Sequence, residues 1–392
     1  MGYNIHSRSA LKFVILLGIV SLCADITYEG ARSIIGPFLA VLGAPAAVVG
    51  IVAGVGELIG YALRLVSGYL TDRTGRYWTL TIVGYTVNLL AVPALALAGH
   101  WGIAASLIIL ERFGKAIRTP ARDAMLSHAT AKMGRGWGFG IHEAMDQLGA
   151  VLGPALVATV LYFTKGYPES FGILLVPAVL ALSMLFVARS LYPHPRRFET
   201  QPTRRQASQG KGFPTAFWFY MGFIALTVAG YAPFQLMSFH FKSASLVSDI
   251  YIPIIYAVAM GVDGVVALFI GRLYDRQGQA ALLAVPLLSV PIAPLVFSGN
   301  YNLALVGAML WGAAMGVQET IMRAAIADMV PATKRGLAFG IFNSIYGLSW
   351  FIGSSIMGFL YEVSILHLVF FSVALELLSF PILYGVIRKT IR

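Results

Sequence analysis

Apolar residues recur along this chain in twelve stretches: 11–38, 46–70, 77–98, 101–118, 136–163, 170–191, 215–241, 248–271, 280–298, 302–325, 336–361 and 364–387. A helix needs about 20 predominantly apolar residues to cross a bilayer, and each stretch is close to that length. Polar and basic residues gather between them. Stretch 101–118 ends in Glu111, Arg112 and Lys115, and 302–325 carries Glu319 and Arg323. Gly36-Pro37 and Gly153-Pro154 fall inside spans, where neighbouring helices can satisfy the backbone groups they free. The pattern predicts an all-α integral membrane protein of twelve transmembrane helices.

Composition agrees. The chain is 58% hydrophobic and 11% charged, against about 25% charged in soluble domains. A formal charge of +11 would suggest nucleic acid in a soluble protein. Here all Lys and Arg except Lys165, Lys242, Arg32 and Arg64 fall on one side of the membrane if both termini are cytoplasmic. That bias is the positive-inside rule, so lipid headgroups rather than nucleic acid are the expected partners. The cell membrane is the expected location. Cys23 is the one cysteine, so no intramolecular disulfide forms. The first apolar run shows no small-residue cleavage site and reads as a retained span. His6 stands where myristoylation wants Ser or Thr. Segment 192–214, rich in Pro, Arg, Gln and Ser, reads as a polar cytoplasmic linker between residues 1–191 and 215–392, six helices each.

The halves repeat. GYLTDRTG from Gly68 returns as GRLYDRQG from Gly271, a shift of 203; RTPARD from Arg118 returns as RAAIAD from Arg323, a shift of 205; RGWGFGI from Arg135 returns as RGLAFGI from Arg335, a shift of 200. Parallel six-helix repeats place a substrate site near the membrane midplane. In the first of these motifs, Gly68 and Gly75 permit close approach and a tight turn. Asp72 follows the second span and can meet the positive end of another helix, while Arg73 and Arg76 can pair with acids or lipid.

This motif, Gly68 to Arg76, resembles the loop 2–3 signature of the major facilitator superfamily. Asp275 and Arg276 stand in its degenerate second copy, and Gly149 to Pro154 resembles part of the fifth-helix signature of that superfamily's antiporters. The resemblance covers the whole chain. It implies two six-helix halves, transport by alternating access, a lean towards export, and Asp72, Arg73, Arg76, Asp275 and Arg276 as gate residues. Arg112 resembles the fourth-helix arginine of proton-coupled members.

Charges inside spans are costly, about 2.5–3.5 kcal/mol each at mid-membrane on insertion scales. Asp25, Glu29 and Arg32 stand at i, i+4 and i+7 of the first span, on one face. Glu29 and Arg32 can pair at i, i+3, which leaves Asp25 as excess negative charge. The repeat keeps Tyr28 as Tyr231 but replaces Asp25 by Val228, so a duplicated packing need does not explain the acid. It reads as a protonation site, a cation site or the anchor of a charged substrate. In the fifth span His142, Asp146, Gly149 and Gly153 form one stripe, with Glu143 about 100° round. The resemblance sets this stripe against the eighth span, which carries Asp263. It reads as a packing network or a gate, and Glu143 can reach a cavity. In the second span Glu57, Tyr61, Arg64 and Gly68 form a similar stripe, which the resemblance sets against the eleventh.

The expected function is secondary active transport of a small molecule or ion, coupled to protons by Asp25, Glu29 and Glu143, by a monomer without a cofactor. A divalent-metal carrier using Asp25, Glu29, His142, Glu143 and Asp146 is the rival. A membrane enzyme is a rival of another class, but the zinc-protease, Walker and Gly-x-Ser-x-Gly motifs are absent. A non-transporting sensor would add an output domain. The topology is testable: with Cys23 replaced and single cysteines placed in 192–214 or beside Lys165, an impermeant thiol reagent outside intact cells should label only the second. Labelling of the linker from outside would reject the orientation.

Overall fold

The computed structural model describes the backbone of residues 2–130, 135–194, 212–331 and 334–390. Side chains are described except at 1–8, 131–140, 195–211, 327, 332–333 and 389–392. Most of the linker 192–214 and part of the Arg135 repeat motif therefore lie outside the described residues. The elements are α1 (Gly2–Val41), α2 (Ala46–Thr74), α3 (Tyr77–Ala94), α4 (Trp101–Thr130), α5 (Arg135–Thr164), α6 (Tyr167–Gly172), α7 (Leu175–Leu191), α8 (Thr215–Gly230), α9 (Phe234–Ser243), α10 (Tyr251–Gln277), α11 (Ala284–Ser289), α12 (Ile292–Val296), α13 (Tyr301–Met329), α14 (Arg335–Val363) and α15 (Ile365–Thr390), with short 3-10 helices at Leu95–Leu97 and Gly278–Leu283. Without water in the hydrocarbon layer, a chain must satisfy its backbone within its own helices, and the all-helical path follows.

Ten stretches of the described residues are long and apolar enough to cross a membrane. One of them, Tyr251–Val296, contains both the eighth and the ninth predicted spans. The fourth predicted span lies in α4, which is too charged for that measure but stays helical to Thr130, well beyond residue 118. Three spans are not the continuous helices expected: the sixth is interrupted at Ile173 and Leu174, between α6 and α7. The ninth is a run of short helical pieces, because Pro286, Pro291 and Pro294 each remove a backbone donor. The seventh breaks at Tyr231, Ala232 and Pro233, with Tyr231 and Pro233 extended. The freed carbonyls find donors: Ser372 Oγ donates to Gly230 O at 2.6 Å, and Trp311 Nε1 donates to Ala232 O at 2.9 Å.

The chain divides into two compact units. The first comprises residues 1–33 and 62–204, the second residues 34–61 and 205–392. In the first unit α5 packs on α1. A Cβ built on Gly153 would meet Ile26 O and lie 2.8 Å from Gly30 N, and one on Gly149 would lie 2.6 Å from Leu22 O. The glycines of the fifth-span stripe thus lie against α1, where they let two backbones of the same unit touch. Asp263 of α10 packs in the second unit against Gly316 of α13.

The second unit contains the counterpart of the α1–α5 seam. Gly353 of α14 presses on the Ala229 carbonyl of α8, and Ala229 is the repeat equivalent of Ile26 at the 203 shift. Within this unit the second span meets the eleventh: Tyr61 packs its Cβ near Gly347, and its ring lies 4.9 Å from that of Tyr346.

Both seams should be intolerant of one methyl group. Gly153→Ala and Gly353→Ala should each lower the melting temperature of the purified protein, with an overpacking cost of about 1–3 kcal/mol. Gly261→Ala, with nothing within 4 Å of its Cβ position, should not lower it. Equal melting temperatures for all three would contradict this packing.

Candidate functional site

The polar face of α1 is buried in the first unit. Ser21, Asp25 and Glu29 are 0%, 3% and 7% exposed. Arg32 Nη1 lies 3.2 Å from Glu29 Oε1, the pair expected at i, i+3. Lys115 of α4 joins them, with Nζ 4.0 Å from Glu29 Oε1 and 3.8 Å from the centre of the Tyr28 ring. Asp25 lies beside the α5 seam, its Cβ 2.8 Å from the position a Cβ would take on Gly149. Asp146, Lys115, Arg118 and Glu29 are the charges that act on it.

Helix α4 supplies the opposing charge. Glu111, Lys115, Arg118 and Arg122 stand at i, i+4, i+7 and i+11, one stripe. Glu111 Oε1 accepts from Asn88 Nδ2 at 2.6 Å, and Glu111 Oε2 lies 3.2 Å from Arg112 Nε. Arg112 is thereby engaged by its own neighbour. Arg118 is 1% exposed. Its guanidinium carbon sits 4.1 Å over the Tyr85 ring centre and 5.6 Å from that of Tyr28. Its Nε and Nη1 have no hydrogen-bond partner. Arg122 donates from Nη1 to Ser21 Oγ at 3.0 Å, pairs through Nη2 with Asp123 Oδ1 at 2.9 Å, and lies 3.9 Å from Asp146 Oδ2.

From α5, His142 places Nε2 2.9 Å from Ser21 Oγ and Nδ1 3.4 Å from Asp146 Oδ2. Ser21 Oγ also lies 3.3 Å from the Tyr85 hydroxyl. Tyr85, Ser21, His142, Asp146 and Arg122 thus form one connected polar chain across four helices. Arg118 lies within electrostatic reach of Asp25, behind Lys115, and of the half-buried Asp146, behind His142 and Arg122, and a proton on either acid changes the balance for the other.

Glu143 is exposed. The five-residue metal set is not assembled: among the described residues no three His, Cys, Asp or Glu side chains converge on a metal position. His142 is turned to Ser21 and Asp146, and Arg122 occupies the approach to Asp146. A guanidinium there takes the place a cation would need.

The repeated motif has matched geometry in its two copies. Gly75 and Gly278 both have positive φ, 63° and 58°, a region open to glycine at no steric cost. Gly68 and Gly271 each stand 3.7 Å, from the place of a Cβ, from a side chain of the adjoining helix, Pro120 and Thr320 respectively. Asp72 and Arg73 do not follow the second helix. They lie within the last turn of α2, as Asp275 and Arg276 lie within that of α10, because both helices run on until the glycine ends them. All four, and Arg76, are exposed. Arg73 Nη1 donates to Tyr69 Oη at 3.4 Å.

The sequence reading missed Ser21, Tyr85, Lys115, Arg118 and Arg122 as members of the cluster. The signal was the α4 stripe, four charges at helical period. It was hidden because the span was ended at 118 and its basic residues were counted as positive-inside charge.

A family model for the Major Facilitator Superfamily matches residues 17–299 and 279–390. An uncharacterised protein of Mycobacterium tuberculosis is 42% identical over 390 residues, 98% of this chain and 95% of that protein. An uncharacterised MFS-type transporter of Methanocaldococcus jannaschii is 26% identical over 92% of this chain and 91% of its own. The solved nucleoside transporter NupG shares the fold with a TM-score of 0.70 at 13% identity, over 96% of this chain and 99% of that one.

Proposed function

The chain belongs to the major facilitator superfamily, and from that premise we propose a proton-coupled secondary transporter that moves a small solute across the cell membrane by alternating access. The observation that carries the coupling is Asp25: a carboxyl 3% exposed, set against the Gly149 seam, with Lys115 and Arg118 as the cations that act on it. In such a place the ionised acid depends on Arg118 and Lys115 for its counter-charge. A proton on Asp25 removes that demand and leaves the Arg118 donors to Asp146 or to the solute. Loss of the proton draws them back. Solute binding and protonation at Asp25 are thereby linked.

The remaining assignments belong to the same proposal. Residues 1–191 and 215–392 form the two six-helix halves, with both termini and 192–214 cytoplasmic. Asp72, Arg73, Arg76, Asp275 and Arg276 act in gating, supported by the twofold occurrence of the glycine-ended motif. The protein acts as a monomer, and the antiporter-like string from Gly149 to Pro154 favours export. Glu29 and Tyr28 hold Lys115, and Arg32 pairs with Glu29, so that together they shape the charge around Asp25.

A thermal-shift screen of the purified protein identifies a solute, because a ligand of the folded state stabilises it by mass action. The test then uses reconstituted vesicles. Asp25→Asn, a fixed mimic of the protonated acid, should abolish accumulation driven by a pH gradient while sparing solute binding and solute-for-solute exchange. Gradient-driven accumulation at the wild-type level in Asp25→Asn would refute the assignment.

A further inference from the structure

A second buried acid lies in the second unit, beside Gly230 at the start of the 231–233 break. Glu376, on α15, is 0% exposed. Neither of its carboxyl oxygens has a hydrogen-bond partner. Its Cγ and Oε1 lie 3.2 Å from the position a Cβ would take on Gly230, the last residue of α8. One turn earlier on α15, Ser372 donates to the Gly230 carbonyl. Glu376 therefore lies where α8 ends and its last carbonyls run out of intrahelical donors.

Two physical facts bear on its charge. The C-terminal end of a helix carries partial negative charge, which repels a carboxylate and favours a donor or a cation. An ionised carboxylate without water, counter-charge or hydrogen bond is also costly to bury. The neighbouring elements offer no relief. The 3-10 helix at 278–283, α11 and α12 have no titratable side chain. On α8, Tyr220 donates its hydroxyl to Met322 O, and beyond its end Tyr231 donates to Trp311 O. On α14, Tyr346 donates to Gln318, Tyr361 bonds with His240, Glu362 accepts from the Ala47 amide, and Arg335 donates to Val330 O. On α15 itself His367, Tyr384 and Arg388 stand two turns or more from Glu376 along the helix.

We propose that Glu376 is a proton-binding site, holding one proton in this conformation and facing the carbonyl end of α8 at the break in the seventh span. The site is separate from Asp25, which belongs to the other unit. Release of the proton requires water or a cation to reach the break, so occupancy of the site reports on the conformation of residues 231–233.

Infrared spectroscopy of the reconstituted protein tests this without any transported solute, so its outcome does not depend on the transport reading. At neutral pH the wild type should show a protonated-carboxyl carbonyl band that is lost in Glu376→Gln. Glu376→Asp keeps a carboxyl and should shift the band, and 13C-glutamate labelling of the wild type should move it; these hold the test should Glu376→Gln fail to accumulate. Exchanging choline chloride for sodium chloride should leave the band unchanged. Identical spectra for wild type and Glu376→Gln, a band insensitive to 13C-glutamate, or a band removed by sodium would overturn the proposal, the last in favour of a cation site.

Discussion

Arg118 is 1% exposed, and a guanidinium keeps its charge at any depth, so the helices around it must answer that charge. Two tyrosine rings lie against it, and two acids lie within its electrostatic reach. Tyr85 and Tyr28 offer their faces, while Asp25 and Asp146 offer opposite charge. None of this is possible unless α1 and α5 lie close enough for their acids to share one cation. The glycines at 149 and 153 provide that closeness, since any side chain there would strike the α1 backbone. Packing and electrostatics are one constraint here: the seam brings the acids together, and the α4 stripe makes them tolerable.

The internal repeat preserves the seam but not the chemistry. Gly353 presses on Ala229 as Gly153 presses on Ile26. Where the first unit has its charged cluster, the second has aromatic packing: Tyr231 stacks on Trp311, which also meets Phe234 and Tyr256. Tyr28, the counterpart of Tyr231, lies in an unbroken helix beside Lys115. One duplicated scaffold thus carries charge in one copy and a helix break lined by aromatic rings in the other. A transporter has use for such asymmetry, because a charged site and a hinge do different work.

Much of the scaffold could be read from the chain because membrane helices announce themselves by length and apolarity. The Glu29–Arg32 pair followed from spacing alone, as did the turn glycine Gly75, whose repeat counterpart Gly278 takes the same conformation. What spacing does not reveal is the neighbour. The stripe on α5 was legible as a stripe, yet only coordinates place it against α1. The charges of α4 were read by side of the membrane rather than by helical period, so Arg118 was passed over. The breaks at Pro233 and through Pro286–Pro294 lay within long apolar runs, where hydropathy is blind to lost backbone donors. Glu376 was hidden in the same way, as a single acid in an otherwise apolar final span.

The claim that Arg118 is held by shared acids can be measured by a double-mutant cycle on stability. Arg118→Gln alone should be destabilising, by about 1–3 kcal/mol, because it removes one of the cations that act on Asp25 and Asp146 and the guanidinium that packs on Tyr85. Adding Asp25→Asn removes one of those acids and should recover part of the loss, giving an interaction energy of about 1–3 kcal/mol between the two sites. Strictly additive effects, within about 0.5 kcal/mol, would mean that Asp25 and Arg118 do not answer one another, and the account of the site would fail.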